Sequence, residues 1–243
     1  MTTHDTLVVV PAYNEAGAVG DVVRDLLAVG LDCVVIDDGS SDATAAVARA
    51  AGAKVLQLPV NLGVGGALRC GFRFAVDRGY RRVVQCDADG QHPPTEIRRL
   101  LEVQDSSGAH LVIGSRFVEG AHEYEVGRAR RLIMRVLSGI VRRSGGVRIN
   151  DTTSGFRCIA QPLLGEFAAS YPVHFLGDTF EAALVAARGG YRIVETPIHI
   201  RPRQAGEASA KPLAAIRFIL RAVIATTAGL DFRIRPLSEL PQP

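Results

Sequence analysis

The chain has no tryptophan, only four cysteines, and only two lysines among its 28 basic residues. The cysteines stand alone at positions 33, 70, 86 and 158, without the C-x-x-C spacing of a zinc site or the density of a disulfide framework, which predicts a reducing compartment such as the cytosol. The arginines are not interleaved with aromatic side chains on which bases stack, so no nucleic-acid partner is expected. A run of about 20 apolar residues and a signal-peptide pattern are also missing, so we predict neither a membrane-spanning helix nor secretion.

The glycine pattern G-x-G-x-x-G, which wraps the pyrophosphate of a dinucleotide, does not follow the first apolar run. That run, Leu7 to Val10, ends instead in Pro11-Ala12-Tyr13-Asn14-Glu15. The absence of the glycine pattern counts against a nicotinamide or flavin enzyme. What the 243 residues do provide is 47% hydrophobic content, enough for one substantial core.

Short apolar runs alternate with helical patterns through the first half of the chain. After the first run we predict strands at 33–36, 54–58, 83–86 and 111–113. This alternation is typical of an α/β domain with a mostly parallel central sheet, right-handed crossovers and helices on its faces. Near the other end, an apolar segment from 193 to 200 is interrupted by Pro197, which predicts a broken strand at a sheet edge.

Acidic residues follow the second predicted strand, at the point where open parallel sheets bind ligands. Asp37 and Asp38 stand at the strand end itself and are candidates for ligand binding. Ser41 and Asp42 come later, directly before a helix, and capping of that helix explains them equally well.

A second acidic pair, Asp87-Ala88-Asp89, ends the fourth predicted strand and precedes Gly90-Gln91-His92. Carboxylates suit hard cations, and Mg²⁺ is usually held by one or two of them while substrate phosphates complete its shell. The pair is therefore suited to a metal bound to a nucleotide diphosphate. The alternative is that the acids bond their own backbone in a turn.

Two further patterns are open to more than one interpretation. Glycines from Gly63 to Gly66 open the third helix, where free N–H groups and Arg69 one turn further would meet an anion, unless this is an ordinary glycine-rich loop. Asp178 and Glu181, three apart at the start of a later helix, are either catalytic carboxylates or acids favoured by the helix dipole.

Two later segments combine arginines with apolar residues at helical spacing. The segment 128–148 carries seven arginines, and a segment from residue 212 carries Arg217 and Arg221. Both predict helices that lie on a membrane surface or contact a partner, not helices that cross a bilayer. The polar loop before them is interpreted as solvated side chains, not as a metal cluster, although it contains Glu119, His122, Glu123 and Glu125.

Six short motifs, in order along the chain, together carry a family resemblance. They are Val-Pro-Ala-Tyr-Asn-Glu at 10–15, Asp-Asp-Gly-Ser at 37–40, Asn-Leu-Gly at 61–63, Asp-Ala-Asp-Gly-Gln-His at 87–92, Gly-Ser-Arg-Phe at 114–117 and Ser-Gly-Phe-Arg at 154–157. From Val9 to about Ile224 the chain resembles the inverting family 2 glycosyltransferases of the GT-A fold, in the branch of dolichol-phosphate mannose synthase and bacterial polyprenol-phosphate sugar transferases.

The resemblance implies a GT-A domain over 1–211, with a donor-binding half 1–117 and an acceptor-side half 118–211, then an amphipathic helix and tail over 212–243. It also implies a nucleotide-diphosphate sugar as donor and a divalent cation, Mg²⁺ or Mn²⁺. An extra Ala210 before Lys211 departs from the family's last loop, so the resemblance supports Lys211 less well than the other positions.

Individual roles come from the same resemblance. Base and ribose are assigned to Pro11, Tyr13, Glu15 and Asp38 with support from Asp37; the diphosphate and metal to Asp87, Ala88, Asp89 and Gln91; the donor phosphates to Arg203 and Lys211; and the acceptor to Arg116, Ser154 and Arg157.

The chemistry of transfer distinguishes two kinds of acceptor. Negative charge builds on the departing nucleotide, so a cation at Asp89 and a basic group such as Arg116 would stabilise the transition state. A hydroxyl acceptor needs a carboxylate base, for which Asp178 and Glu181 are the candidates. A lipid phosphate is already anionic and needs no base.

We therefore expect a metal-dependent glycosyltransferase that moves a sugar to a polyprenyl phosphate, located in the cytoplasm as a peripheral protein on the cytoplasmic membrane face. The alternative is a soluble enzyme acting on a hydroxyl of a small molecule or glycan. A non-catalytic nucleotide-binding or response-regulator domain is disfavoured, because the acid pair at the first strand and the lysine at a late strand end are missing. The sugar, nucleotide, metal and oligomeric state, a homo-oligomer included, are left open.

Overall fold

The computed structural model describes residues 5–118, 128–172, 178–201 and 233–240. The strands are β1 (Thr6–Ala12), β2 (Asp32–Asp37), β3 (Lys54–Gln57), β4 (Arg82–Gln85), β5 (Leu111–Ser115), β6 (Arg157–Ala160) and β7 (Ile193–Pro197). The helices are α1 (Val19–Ala28), α2 (Thr44–Ala50), α3 (Val64–Asp77), α4 (Pro94–Ser107), α5 (Arg128–Gly145), α6 (Leu163–Ala169) and α7 (Asp178–Arg188).

The seven strands form one sheet in the order β3-β2-β1-β4-β6-β5-β7. Strand β6 runs antiparallel to both its neighbours, β4 and β5, and the other pairings are parallel. The carboxyl ends of β1, β2, β4 and β5 therefore lie along one edge, with the start of β6 among them. This edge is where the polar residues of the sequence motifs meet.

Alternating side chains of the strands build two cores, one on each face of the sheet. Leu7 and Val9 of β1 face the core closed by α3, α5, α6 and α7. Val8 and Val10 face the core closed by α1, α2 and α4. Hydrophobic residues on both faces of the central strand explain why its sequence is a continuous apolar run.

The predicted α/β class and mostly parallel sheet are confirmed. The antiparallel β6 and the helix α6 were not predicted. The helix predicted over 128–148 ends at Gly145, where Gly146 adopts a left-handed φ of 71° and its N–H donates to the carbonyl of Arg142.

The edge position predicted for the proline-containing strand is confirmed. Strand β7 ends at Pro197, which pairs with Ser115 of β5, so residues 198–200 do not continue the strand. Its other side has no neighbouring strand in the described sheet, so the missing N–H of proline costs no ladder bond there.

The C-terminal helix and the polar loop 119–127 lie outside the described residues. Within the described residues, no helix is long and apolar enough to cross a bilayer. The division of the GT-A domain into a donor-binding half that ends at residue 117 and an acceptor-side half stays a prediction.

Candidate active site

The acids at the end of β2 are buried. Asp37 Oδ1 accepts the N–H of Ser40 at 3.1 Å, and its buried Oδ2 has no hydrogen-bond partner among the described residues. Asp38 Oδ1 accepts the N–H of Leu62 at 2.7 Å. Burial raises the pKa of Asp38, and the neighbouring Asp37 adds to the effect. A buried carboxylate oxygen without a protein partner can accept a hydrogen bond from a water molecule or from a donor group on a ligand.

The loops after β1 and β2 are joined by reciprocal hydrogen bonds. Asn14, at a positive φ of 55°, donates its N–H to Ser40 Oγ at 2.9 Å and accepts the N–H of Ser41 on Oδ1 at 2.9 Å. The N–H of Glu15 donates to Thr44 Oγ1 at 2.8 Å. These bonds fix the loop that carries Tyr13, whose ring is exposed, beside the half-buried Pro11 and the acids of β2. The four residues assigned to base and ribose therefore share one loop pair.

The Asp-x-Asp motif forms a tight turn directly after β4. Asp89 is buried, and its Oδ1 accepts the N–H of Gln91 at 3.0 Å. Ala88 is buried in the core on one face of the sheet, while Asp87 remains half-buried. Gln91 is tied to the later chain, because its carbonyl accepts the N–H of Arg201 at 2.8 Å. The turn therefore projects two carboxylates at the carboxyl edge, with the chain that leads towards Arg203 beside it.

His92 fixes this turn through a hydrogen bond to its backbone. Its Nδ1 accepts the N–H of Asp87 at 3.2 Å, and its ring stacks on Phe156 with centroids 4.5 Å apart. Removal from water lowers the pKa of His92 and outweighs Asp87 and Asp89, which act to raise it. The neutral ring keeps Nδ1 available as an acceptor, so His92 positions the backbone of Asp87. Sequence reasoning assigned no role to His92.

The turn fits a divalent cation that also binds substrate phosphates. Among the described residues, no group of three or more acidic, histidine or cysteine side chains forms a metal cluster. The chain would thus supply Asp87, Asp89 and the Gln91 amide, as is usual for Mg²⁺ shared with a diphosphate. A Cβ on Gly155 would lie 3.5 Å from both carboxylate oxygens of Asp87, so a glycine there keeps the approach to the carboxylate open.

A buried aspartate holds Arg116 at the end of β5. Asp151, fully buried, accepts Nε of Arg116 at 2.8 Å and Nη2 at 2.9 Å, a bidentate pair, and also the backbone N–H of Arg116 at 3.1 Å. Nη2 additionally donates to Thr153 Oγ1 at 3.3 Å. Bidentate geometry fixes the plane of the guanidinium as well as its position.

Glu195 of β7 in turn fixes the aspartate. Its carboxylate accepts the N–H of Asn150 at 2.8 Å, the side-chain amide of Asn150 at 2.8 Å and the N–H of Asp151 at 2.8 Å. Sequence reasoning missed Asp151 and Glu195. The only indication was a single acid in a turn, Asp151, and a single acid within a strand, Glu195, because their pairing depends on β5, β6 and β7 being neighbours.

The structure gives Arg157 a supporting role. Its side chain is 1% exposed, and its guanidinium donates to the carbonyls of Ser154 at 2.6 Å, Thr152 at 3.1 Å and Thr179 at 2.7 Å. Buried Ser154 accepts the N–H of Phe156 on Oγ at 3.3 Å. These bonds join the 152–154 turn to the start of α7. Direct contact of Arg157 or Ser154 with an acceptor stays a prediction.

The remaining candidates are spread more widely. Gly63 has a left-handed φ of 79° and precedes α3, but the guanidinium of Arg69 donates to the carbonyl of Ala169 at the end of α6. Glu181 is buried on α7, and Asp178 begins that helix with its side chain outside the description. Arg203 and Lys211 lie outside the described residues. Roles for all of these stay predictions.

Acids at the ends of β2 and β4 and an arginine at the end of β5, fixed by Asp151, lie along one edge of a mostly parallel sheet, the arrangement expected of a glycosyltransferase of the GT-A fold. The model of the family "Glycosyl transferase family 2" matches residues 7–166. The chain belongs to that family, and it is a glycosyltransferase.

Three relatives support its assignment to the polyprenol-phosphate sugar synthase branch. Polyprenol monophosphomannose synthase of Mycolicibacterium smegmatis is 33% identical, covering 84% of this chain and 80% of that protein. Undecaprenyl-phosphate mannosyltransferase of Micrococcus luteus is 35% identical, covering 83% and 85%. Dolichyl-phosphate hexose transferase of Haloferax volcanii is 31% identical, covering 92% and 94%.

The fold is shared with a solved structure. Glucosyl-3-phosphoglycerate synthase from Mycobacterium tuberculosis superposes with a TM-score of 0.70 at 24% identity, covering 92% of this chain and 78% of that one. That crystal structure contains Mn²⁺, UDP and glucosyl-3-phosphoglycerate. At this identity the likeness establishes the GT-A fold.

Proposed function

We propose that this glycosyltransferase moves a sugar, with inversion, from a nucleotide-diphosphate sugar to the phosphate of a polyprenyl lipid, with a divalent cation, at the cytoplasmic face of a membrane. The observation that carries the proposal is the sequence likeness. Relatives more than 30% identical over at least four-fifths of both chains are named for transfer to polyprenol, undecaprenyl or dolichyl phosphates.

The donor side of the site is acidic and buried. Asp37 and Asp38 offer acceptor oxygens to the hydroxyl and N–H donors of a nucleoside, and Tyr13 offers an exposed ring beside them. Asp87, Asp89 and Gln91 would hold the cation, whose charge, when bound, neutralises the charge that develops on the leaving diphosphate. Because Asp89 is buried and His92 fixes the Asp87 backbone, the turn is preorganised and reorganises little during the reaction.

The acceptor side is built around Arg116, which stands at the end of β5. Asp151 and Thr153 accept hydrogen bonds from its guanidinium, and Glu195 in turn fixes Asp151. A phosphate monoester brings its own anionic oxygen, so the chain's task is to position it in line with the bond that breaks, and a fixed guanidinium does this. No general base is needed, and Asp178 and Glu181 are then free of that role.

The decisive experiment combines the protein and Mn²⁺ or Mg²⁺ with a panel of nucleotide sugars, with and without a short polyprenyl phosphate. We expect a lipid-linked sugar and the free nucleoside diphosphate only when cation and lipid phosphate are both present. Transfer only to water-soluble alcohols would establish the hydroxyl-acceptor alternative instead. Absence of turnover with any donor would contradict the proposal.

A further inference from the structure

A groove beside α5 carries arginines that the proposed transfer does not use. The cavity is about 560 Å³, and its described lining is Phe117, Met134, Arg135, Ser138, Gly139, Arg142, Arg148 and Asn150. Its three arginines are exposed, and none of the lining side chains is acidic. Within the described chain, no carboxylate forms an ion pair with any of the three.

The arginines face one space from two sides. Arg135 and Arg142 are seven residues apart, two helical turns or about 10 Å along the axis of α5, with Ser138 and Gly139 between them. Arg148 lines the other side of the groove, on the chain that returns from α5. Three like charges around one cavity repel each other, and a bound anion relieves this repulsion.

The floor of the groove reaches the acceptor side. Met134 Sδ accepts a hydrogen bond from Thr153 Oγ1 at 3.6 Å, and Thr153 also accepts from Arg116. Phe117 and Asn150 belong to both the groove and the neighbourhood of the Arg116–Asp151 pair. A phosphate in the groove would thus lie beside the proposed acceptor phosphate. Two lipids that are neighbours in one leaflet of a bilayer place their phosphates side by side in the same way.

We propose that this groove binds the phosphodiester headgroup of an anionic membrane phospholipid, separately from the acceptor phosphate, and so docks α5 on the bilayer. The proposal rests on the proposed function, because it takes the acceptor to be a membrane lipid. The apolar residues that line the groove, Met134 and Phe117, would face the glycerol and the first methylene groups of the phospholipid, while the three guanidinium groups bind its phosphate.

The test is co-sedimentation of the whole protein with vesicles of phosphatidylcholine alone or mixed with phosphatidylglycerol. We expect binding only to the mixed vesicles. Since each arginine near an anionic surface strengthens binding roughly fivefold, the triple variant Arg135→Gln, Arg142→Gln, Arg148→Gln should bind on the order of a hundredfold more weakly. The corresponding triple Arg→Lys variant, which keeps the charge, should bind nearly as well as the unaltered protein.

A matched control removes three exposed arginines away from α5, Arg49, Arg73 and Arg81, each changed to Gln. This control should keep most of the binding. Equal losses in the two Gln triples would show that only net charge matters and would overturn the groove, as would failure of the unaltered protein to bind mixed vesicles. If the protein binds millimolar glycerol phosphate but does not bind the mixed vesicles, the groove takes a soluble phosphate, and the lipid assignment is overturned.

Transfer to a short polyprenyl phosphate in neutral detergent separates this proposal from the proposed function. The groove variant should keep its turnover there, because no bilayer is involved, and should lose it on mixed vesicles. If the unaltered protein shows no transfer in detergent, the proposed function fails whatever the vesicle result.

Discussion

The carboxylate of Asp89 is 3% exposed, and a buried carboxylate is costly unless its charge is compensated. Asn has the same shape and keeps an oxygen for the N–H of Gln91. We therefore expect Asp89→Asn to retain the fold and melting temperature while kcat/KM falls about 10²–10³-fold, as for loss of one preorganised electrostatic contact. Steady-state kinetics and circular dichroism measure the two effects. Glu102→Gln, exposed on α4, is the control and should change neither; retained activity in Asp89→Asn would mean that the cation site lies elsewhere.

Arg116 depends on Asp151 for its position, so the effect of removing Asp151 should appear on the acceptor. Asp151→Asn leaves the guanidinium without its buried partner, which costs roughly 3 kcal/mol of unfolding free energy for a broken buried pair. We expect KM for the polyprenyl phosphate to rise at least tenfold while KM for the nucleotide sugar stays unchanged.

The control for that experiment is Asp105→Asn, which breaks the pair with Arg82 at an aspartate whose side chain is 41% exposed. It should leave both KM values unchanged. A rise of both KM values in Asp151→Asn would indicate general damage to the site, and an unchanged acceptor KM would remove Arg116 from the acceptor.

At the residue scale, the sequence identified side chains whose chemistry is visible in isolation. The acid pairs at Asp37-Asp38 and Asp87-x-Asp89 could be predicted because they end apolar runs. Asp151 and Glu195 could not, since a single acid in a turn or strand has no distinguishing neighbours in sequence. Their role arises from partners 35 and 44 residues away.

At the scale of elements, α3 lies unusually close to the sheet. A Cβ built on Gly71 would be 2.4 Å from Val9 Cγ1 and 3.4 Å from Ile36 Cγ1. Overpacking costs roughly 1–3 kcal/mol and the better helix propensity of alanine returns up to ~1, so Gly71→Ala should lower the unfolding free energy by up to roughly 2 kcal/mol. Gly139→Ala on α5, where a Cβ meets nothing within 4 Å, should raise it by up to ~1 kcal/mol. Denaturant titration of both variants decides this, and equal changes would contradict the close approach.

The junction of β5 and β7 should make stability depend on pH. His110 Nδ1 accepts the N–H of Arg192 at 3.0 Å, and burial, with Arg192 adding to it, lowers the pKa of His110. The imidazole of His110 binds a proton more readily in the unfolded chain than in the folded one. The contribution of neutral His110 to the unfolding free energy is therefore fully present above the unfolded pKa of about 6.5, and it is lost as the pH falls through the lower pKa of the folded protein.

The measurement is the unfolding free energy at several pH values from 7.5 to 5. The decline towards acid should be shallower in His110→Asn than in the unaltered protein, while the contribution of His92, whose pKa is also lowered, is common to both. Parallel pH profiles would show that His110 does not titrate differently on folding.

Elements with a clear period could be predicted, and those defined by their neighbours could not. The alternation that gives β1 to β5 is visible in the chain, and so is the basic amphipathic pattern of α5. Strand β6 has only four residues, including the buried Arg157, and becomes a strand because it fills the gap between β4 and β5. Helix α6 is seven residues long, too short for a distinct periodic pattern.

At the scale of the whole molecule, the described C-terminal residues 233–240 are bound by hydrogen bonds to α6 and to the chain that follows α7. Buried Glu166 of α6 accepts the N–H of Arg235 at 2.8 Å and its Nε at 2.9 Å. Tyr191 donates its hydroxyl to the carbonyl of Arg235 at 2.8 Å, and the N–H of Leu237 donates to the carbonyl of Gly189 at 2.8 Å. Two described residues are thus attached at separate places: Arg201 donates its N–H to the carbonyl of Gln91 beside the active site, and Arg235 is bound by Glu166 of α6.

Glu166→Gln should loosen this attachment, because glutamine has one acceptor oxygen where the carboxylate uses two and carries no charge for the guanidinium. We expect the backbone amides of Arg235 and Leu237 to exchange hydrogen at least tenfold faster, while the amides of β1 and β4 keep their protection. Glu239→Gln, an exposed charge on the same tail, is the matched control and should leave the exchange unchanged. If the amides of the tail are protected equally in both variants, apolar contacts such as that of Leu240 hold the tail and the carboxylate does not.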